Sequence, residues 1–158
     1  MKKLLIVDLQ KQFADKNGKY KNILNNINSL KKNYDKVYAT IFSQNLEDNR
    51  NINYQNKLNW NECLNCSYKD LEFDINKQNV IIKNGYGIKN ISKYFSFEDT
   101  IDIIGCDSEA CIMAICFQLW DLGFNFNILS NYIYTTSLNY TDEDVKKLLI
   151  ENFGECVK

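Results

Sequence analysis

The sequence predicts an α/β protein, a three-layer α/β/α sandwich around a mostly parallel central sheet of five or six strands. Three observations carry this expectation. Short continuous apolar runs rich in Ile and Val, suited to strands buried on both faces, recur along the chain. Segments with the apolar spacing of helices separate them, and strand–helix–strand order brings parallel pairing with it. Several runs also end on a residue able to do chemistry, as expected where the carboxyl edge of an open parallel sheet forms a crevice. At 158 residues the chain is long enough for one domain, 1–158, with a sizeable core.

The first run is Lys3–Val7 (KLLIV), closed by Asp8. That carboxylate either caps the following turn or points into the crevice. Ile23, Leu24, Ile27 and Leu30 share one helical face, and the helix is expected to end near Asn33. Val37–Phe42 (VYATIF) has the β-branched and aromatic content of a second strand. Residues 43–77 are Asn-rich and irregular, with Leu58, Trp60, Leu64, Leu71 and Phe73 as anchors; such a long connection is often a binding loop, and Trp60 is either a pocket wall or a plain anchor. Val80–Ile82 is the third strand, with Lys83 at its end. The NGYG that follows lacks the third glycine of a dinucleotide fingerprint and reads as a tight turn bringing Tyr86 near the crevice. A short helix around Asn90–Phe95 precedes the fourth strand, Thr100–Ile104, which runs into Gly105.

After the turn CDSEA, an apolar segment from Cys111 to Leu122, stopped by Gly123, suits a helix, so Cys111 falls in its first turn. Unpaired amides and the helix dipole there favour a thiolate and an oxyanion beside it. Cys106 and Cys116 read as core filler. Asn125–Ser130 is the fifth strand, Tyr132–Tyr140 a polar aromatic loop, and a helix runs from Thr141 or Asp142 to about Asn152 with Val145, Leu148 and Leu149 inward.

Composition removes several function classes. Lysine plus arginine number 19 against 20 acids, a net charge of -1 that suggests neither a nucleic-acid nor an anionic-membrane partner. The start, MKKLLIV, imitates a signal peptide but breaks at Asp8, and no segment is long enough to span a bilayer, so a cytoplasmic protein is expected. The six cysteines then read as free thiols, and the lone Cys63/Cys66 CxxC lacks the further ligands of a structural zinc site. There is no histidine. That excludes Ser-His-Asp triads, Cys-His pairs and histidine-built metal sites, and leaves acid–base work to a carboxylate, lysine, tyrosine or thiol. Neither a cofactor nor a metal is expected.

Asp8, Lys83 and Cys111 each follow the carboxyl end of a predicted parallel strand, so all three can converge on one crevice and supply a base, a cation and a nucleophile. Here the chain resembles the isochorismatase-like cysteine hydrolases, the group with nicotinamidases and N-carbamoylsarcosine amidase. The matching pieces are LLIVDLQKQF at 4–13, VIIKNGYG at 80–87 and IIGCDSEACI at 103–112, with the weaker NILSN at 127–131. The resemblance implies the isochorismatase-like, Rossmann-type fold, with Cys111 as nucleophile, Asp8 as general acid/base and Lys83 as the cation of the triad. It also implies a cis peptide joining Cys106 to Asp107, with the backbone N–H groups of Asp107 and Cys111 aimed at an oxyanion.

In the cycle so implied, Asp8 takes the thiol proton while Lys83 and the helix N-terminus stabilise the thiolate. The thiolate then cleaves an amide-type C–N bond through a thioester. Phe13 matches an aromatic beside the family's substrate pocket, and Trp60 and Tyr86 are further substrate-binding candidates, together suggesting a small, partly apolar or planar substrate. Nicotinamidases of the family carry a histidine-containing metal site; the corresponding stretch here, TIFSQNLED, has none, and the usual acid after the fifth strand is Asn131. Two alternatives remain: an isochorismatase-type vinyl-ether hydrolase, and a non-catalytic binding or thiol-sensor member of the family. A homodimer or higher homo-oligomer is expected, because family members commonly pair and the Cys111 helix is apolar on almost every side.

Overall fold

Leu4, Leu5, Ile6 and Val7 are all fully buried, and since neighbouring strand residues face opposite ways, both faces of that strand are covered. It is the middle of the sheet. In the computed structural model, which describes residues 1–45 and 47–158 and only the backbone of Arg50, the strands are β1 (Lys2–Val7), β2 (Lys36–Phe42), β3 (Val80–Lys83), β4 (Thr100–Gly105) and β5 (Asn125–Ile133). They form one sheet in the order β3-β2-β1-β4-β5, with every pair parallel. The helices are α1 (Lys19–Lys31), α2 (Asn49–Leu58), α3 (Met113–Asp121) and α4 (Asp142–Phe153). The chain winds outward from β1 through β2 to β3, then returns to β4 on the other side. Right-handed crossovers in these two directions place α1 and α3 on opposite faces. The switch between them lies at the carboxyl ends of β1 and β4, where open α/β sheets form their crevices.

The core joins Ile23 and Ile27 of α1, Ile115, Cys116 and Leu119 of α3, and Val145, Leu149 and Phe153 of α4 to the strand side chains. Leu148 departs from expectation: it is 40% exposed, because α4 buries a narrow stripe centred on Val145 and Leu149. The 43–77 segment, apart from Leu46, which lies outside the described residues, is more regular than its composition suggests. It contains α2, and a single bridge pairs Gln44 with Leu64. Its docking residues are Tyr54, Cys63, Cys66 and Leu71, with the expected anchors Trp60 and Phe73 partly buried against the core, whereas Leu58 and Leu64 are exposed. The stretch Asn90–Phe95 holds only a 3-10 turn, Ile91–Lys93, and β5 extends to Ile133, three residues past its expected end at Ser130. No helix among the described residues is long and apolar enough to cross a membrane.

Candidate active site

At the end of β1 the chain turns sharply at Asp8, in the left-handed region at φ 45°. Its N–H donates to Thr40 Oγ1 at 3.0 Å, and that hydroxyl donates in turn to Asp8 Oδ1 at 2.6 Å. One β2 hydroxyl thus fixes both the backbone and the carboxylate of Asp8. The other oxygen, Oδ2, meets the Lys83 ammonium in an ion pair of 2.6 Å, with both side chains buried. Lys83 reaches across from the end of β3, two strands away, over the ring of Phe42 (4.9 Å to its centroid), and also donates to the Gly85 carbonyl at 3.0 Å. Its third contact is Cys111 Sγ, at 3.2 Å. The three sequence candidates therefore meet at one ammonium.

The β4 end is shaped by Gly105. At φ +116°, a side chain there would place Cβ 2.0 Å from the Val7 carbonyl oxygen, so only glycine lets β4 lie this close to β1. The Cys106–Asp107 peptide is cis, as the resemblance implied. A π-helical turn, Ser108–Ile112, follows, in place of the first turn of a regular α-helix. The Asp107 carbonyl accepts from the N–H groups of Ala110 and Ile112 (3.1 and 3.0 Å) and not from that of Cys111 between them. Among the described residues the Asp107 N–H also has no hydrogen-bond acceptor. The two amides foreseen as oxyanion donors thus flank a local irregularity of the backbone ladder, in a segment where π-turns commonly mark functional positions.

The electrostatics differ from the expectation of a stabilised thiolate. Burial pushes the Cys111 thiol well above its ordinary range, and the Asp8 carboxylate pushes it further; Lys83 pulls the other way without prevailing. Burial and the Asp8 carboxylate thus both favour the thiol form of Cys111 over the thiolate. For Lys83, burial opposes the charged form, but Asp8 and Cys111 outweigh it and the ammonium is held above its usual range.

Above this cluster opens a crevice of about 720 Å³. Cys111 and Asp107 lie on its floor, and Phe13, Trp60 and Tyr86, all three sequence candidates, line it together with Phe42 and Tyr54. Phe13 stacks on Trp60 at 6.2 Å, Trp60 packs on Phe42 at 5.3 Å, and Tyr54 meets Tyr86 edge-on at 5.4 Å. Tyr134 donates its hydroxyl to the Phe13 carbonyl at 3.0 Å and pins that wall. The sequence reading missed Thr40, Phe42 and Tyr54. It also missed Gln10, whose buried amide pairs with the backbone of Phe42 (2.8 and 3.1 Å) and fixes the end of β2.

The residues after β2 do not fit a metal. Gln44 spends its amide N–H groups on the carbonyls of Trp60 (3.3 Å) and Glu62 (2.7 Å), and Asn51 bridges the Asn45 N–H and the Asn84 carbonyl. Among the described residues Gln44 Oε1 has no partner, but one neutral oxygen is no metal site. Among the described residues no group of three or more His, Cys, Asp or Glu could hold an ion.

A doubly wound parallel sheet with a closed acid–lysine–thiol contact beneath a crevice at its switch point narrows the class to α/β proteins with a thiol-centred pocket. The chain belongs to the isochorismatase family: the isochorismatase domain model matches residues 2–157. Its fold is similar to that of a pyrazinamidase/nicotinamidase from Streptococcus mutans (15% identity, all of both chains covered, TM-score 0.73). It is also similar to the yeast nicotinamidase bound to the inhibitor nicotinaldehyde (17% identity, 96% of this chain and 95% of that one, TM-score 0.71). A cysteine hydrolase from Pseudomonas syringae aligns over 98% of this chain and 84% of its own, at 14% identity and TM-score 0.76. No curated protein matches by sequence.

Proposed function

We propose that this protein is a metal-independent cysteine hydrolase that cleaves a small amide-type C–N bond. The observation that carries the reading is the Lys83 ammonium in simultaneous contact with Asp8 (2.6 Å) and Cys111 (3.2 Å) beneath an aromatic crevice. Because Cys111 rests as a thiol, Asp8 acts as general base at the moment of attack rather than on a preformed thiolate. Sulfur bonds to the amide carbon as its proton passes to Asp8, and the developing oxyanion is met by the N–H groups of Asp107 and Cys111. Asp8 returns the proton to the leaving nitrogen, the C–N bond breaks, and an amine or ammonia departs. Water, deprotonated by Asp8, then cleaves the thioester to the carboxylic acid, and the thiol is regained. Lys83 holds the Asp8 carboxylate in place and keeps the sulfur from carrying an uncompensated charge.

The test is ammonia release from a panel of small amides, with Cys111→Ala alongside. Loss of at least about a thousandfold in kcat is expected for the removal of a covalent nucleophile. Turnover of the same amide at the wild-type rate by Cys111→Ala would overturn the proposal. A protein that hydrolyses a vinyl ether and ignores thiol alkylation would move the reading to isochorismatase-type chemistry. Reactivity at Cys111 without turnover would move it to a thiol sensor.

A further inference from the structure

The crevice floor carries a second carboxylate that this cycle does not use. Asp107 lends its N–H to the oxyanion, but its side chain also lines the crevice beside Cys111. It is held rigidly: the Thr136 N–H donates to Oδ1 at 2.6 Å and the Thr136 hydroxyl to Oδ2 at 2.8 Å. A carboxylate has about four acceptor sites, so roughly half remain available to a ligand. Burial lifts its pKa to about 6, with smaller contributions from the charges of Glu109 and Asp8, while the Thr136 bonds hold it down; above pH 7 it is mostly ionised.

The remaining lining has the same sign. Glu62 stands exposed at the crevice, and the described lining residues include no lysine or arginine. Lys83 lies beneath, and its charge is already matched by Asp8. The walls carry the aromatic rings of Phe13, Phe42, Tyr54, Trp60 and Tyr86, a ring type whose faces attract cations. An anionic substrate would meet two carboxylates and aromatic rings with no counter-charge among the described lining residues, whereas a cation would relieve the crowding of Asp107 against Asp8 and Glu109.

We propose that this crevice takes a small amide whose far end carries a positive charge, and that the Asp107 carboxylate is the residue that sets this preference. The inference rests on the amide-hydrolase reading for its chemistry, but the charge preference can be read at Cys111 without any turnover. Two methanethiosulfonates serve as probes, one with a trimethylammonio and one with a sulfonate tail. Each leaves a mixed disulfide on the attacking thiolate and releases methanesulfinate. Their rates at Cys111, followed by peptide mass spectrometry and divided by their rates with a free thiol in solution, report the sign of the crevice. In parallel, three matched amides, 4-(aminomethyl)benzamide, benzamide and 4-carbamoylbenzoate, are assayed for ammonia release. Asp107→Asn is the variant of choice, because its amide oxygen still accepts from the Thr136 N–H and its NH₂ group can donate to the hydroxyl.

Expected is a cationic-over-anionic preference of about tenfold or more at Cys111, the scale of one partly screened charge contact, falling severalfold in Asp107→Asn. The kcat/KM order should run cationic, neutral, anionic, with the same collapse in the variant. Equal normalised labelling by the two reagents, or a preference untouched in Asp107→Asn, overturns the inference even if neutral amides are cleaved. A labelling preference with none of the three amides cleaved supports the charge reading and counts instead against the amide chemistry.

Discussion

Thr40 shows how much a single hydroxyl does in this site, since it accepts from the Asp8 N–H and donates to the Asp8 carboxylate in a fully buried place. Thr40→Val keeps the shape and strands both groups, at about 1–3 kcal/mol for each unsatisfied partner. A Tm lowered by several degrees and a kcat reduced tenfold or more are expected, with Thr40→Ser restoring most of both. The charges around Cys111 make a second prediction of opposite signs. Asp8 raises the thiol pKa and Lys83 lowers it. Asp8→Asn should therefore move iodoacetamide labelling of Cys111 to lower pH while turnover falls about a hundredfold or more. Lys83→Gln should move labelling to higher pH. Wild-type labelling should climb through the alkaline range; labelling complete at acid pH would contradict the resting thiol. Asp8, Lys83 and Cys111 were legible in the sequence because each follows a strand end. Thr40 was not: a threonine in mid-strand looks the same whether its hydroxyl serves a neighbour or nothing.

Among the elements, α4 is begun by a capping box in which Thr141 Oγ1 accepts from the Asp144 N–H at 3.2 Å and the Asp144 carboxylate accepts from the Thr141 N–H at 3.0 Å. Thr141→Ala should cost about 1 kcal/mol in denaturant titration and leave kcat unchanged. That start was readable to within one residue, Thr141 or Asp142, because both are favoured helix-capping residues. The helix α2 was not readable. Its sequence, NRNINYQNKL, has five poor helix formers among ten residues counting Asn and Tyr, before its weak periodicity is considered. It is held instead by distant bonds, Asn51 to Asn45 and Asn84, and by Tyr54 among the rings of Phe42, Trp60 and Tyr86. The π-turn before α3 is equally silent in sequence, since it depends on how Gly105 docks on β1 and on the Ser108 N–H reaching the Tyr134 carbonyl at 3.0 Å.

For the whole molecule, one buried ion pair ties the start of the chain to the entry of β4. Lys3 Nζ lies 2.7 Å from Asp99 Oδ2, with both side chains buried. Burial alone would raise the Asp99 pKa, but Lys3 and the Ser96 donors outweigh it and hold the carboxyl well below the usual range. A depressed carboxylate pKa contributes stability that is complete above the unfolded value near 3.9 and fades as pH falls below it. Asp99→Asn leaves Lys3 buried without its counter-charge and should cost about 3–5 kcal/mol at neutral pH. The gap in Tm between wild type and variant should narrow below pH 4, and a constant gap would contradict this account. The strand order β3-β2-β1-β4-β5 has one more consequence. Asp8 and Lys83 belong to the half of the chain before the exposed Phe97, and Cys111 to the half after it. The thiol–ammonium contact therefore joins side chains carried by two separate parts of the chain, which meet where β1 pairs with β4. The register of β1 against β4, Val7 opposite Gly105, thus sets the distance between a sulfur and an ammonium that lie far apart in sequence.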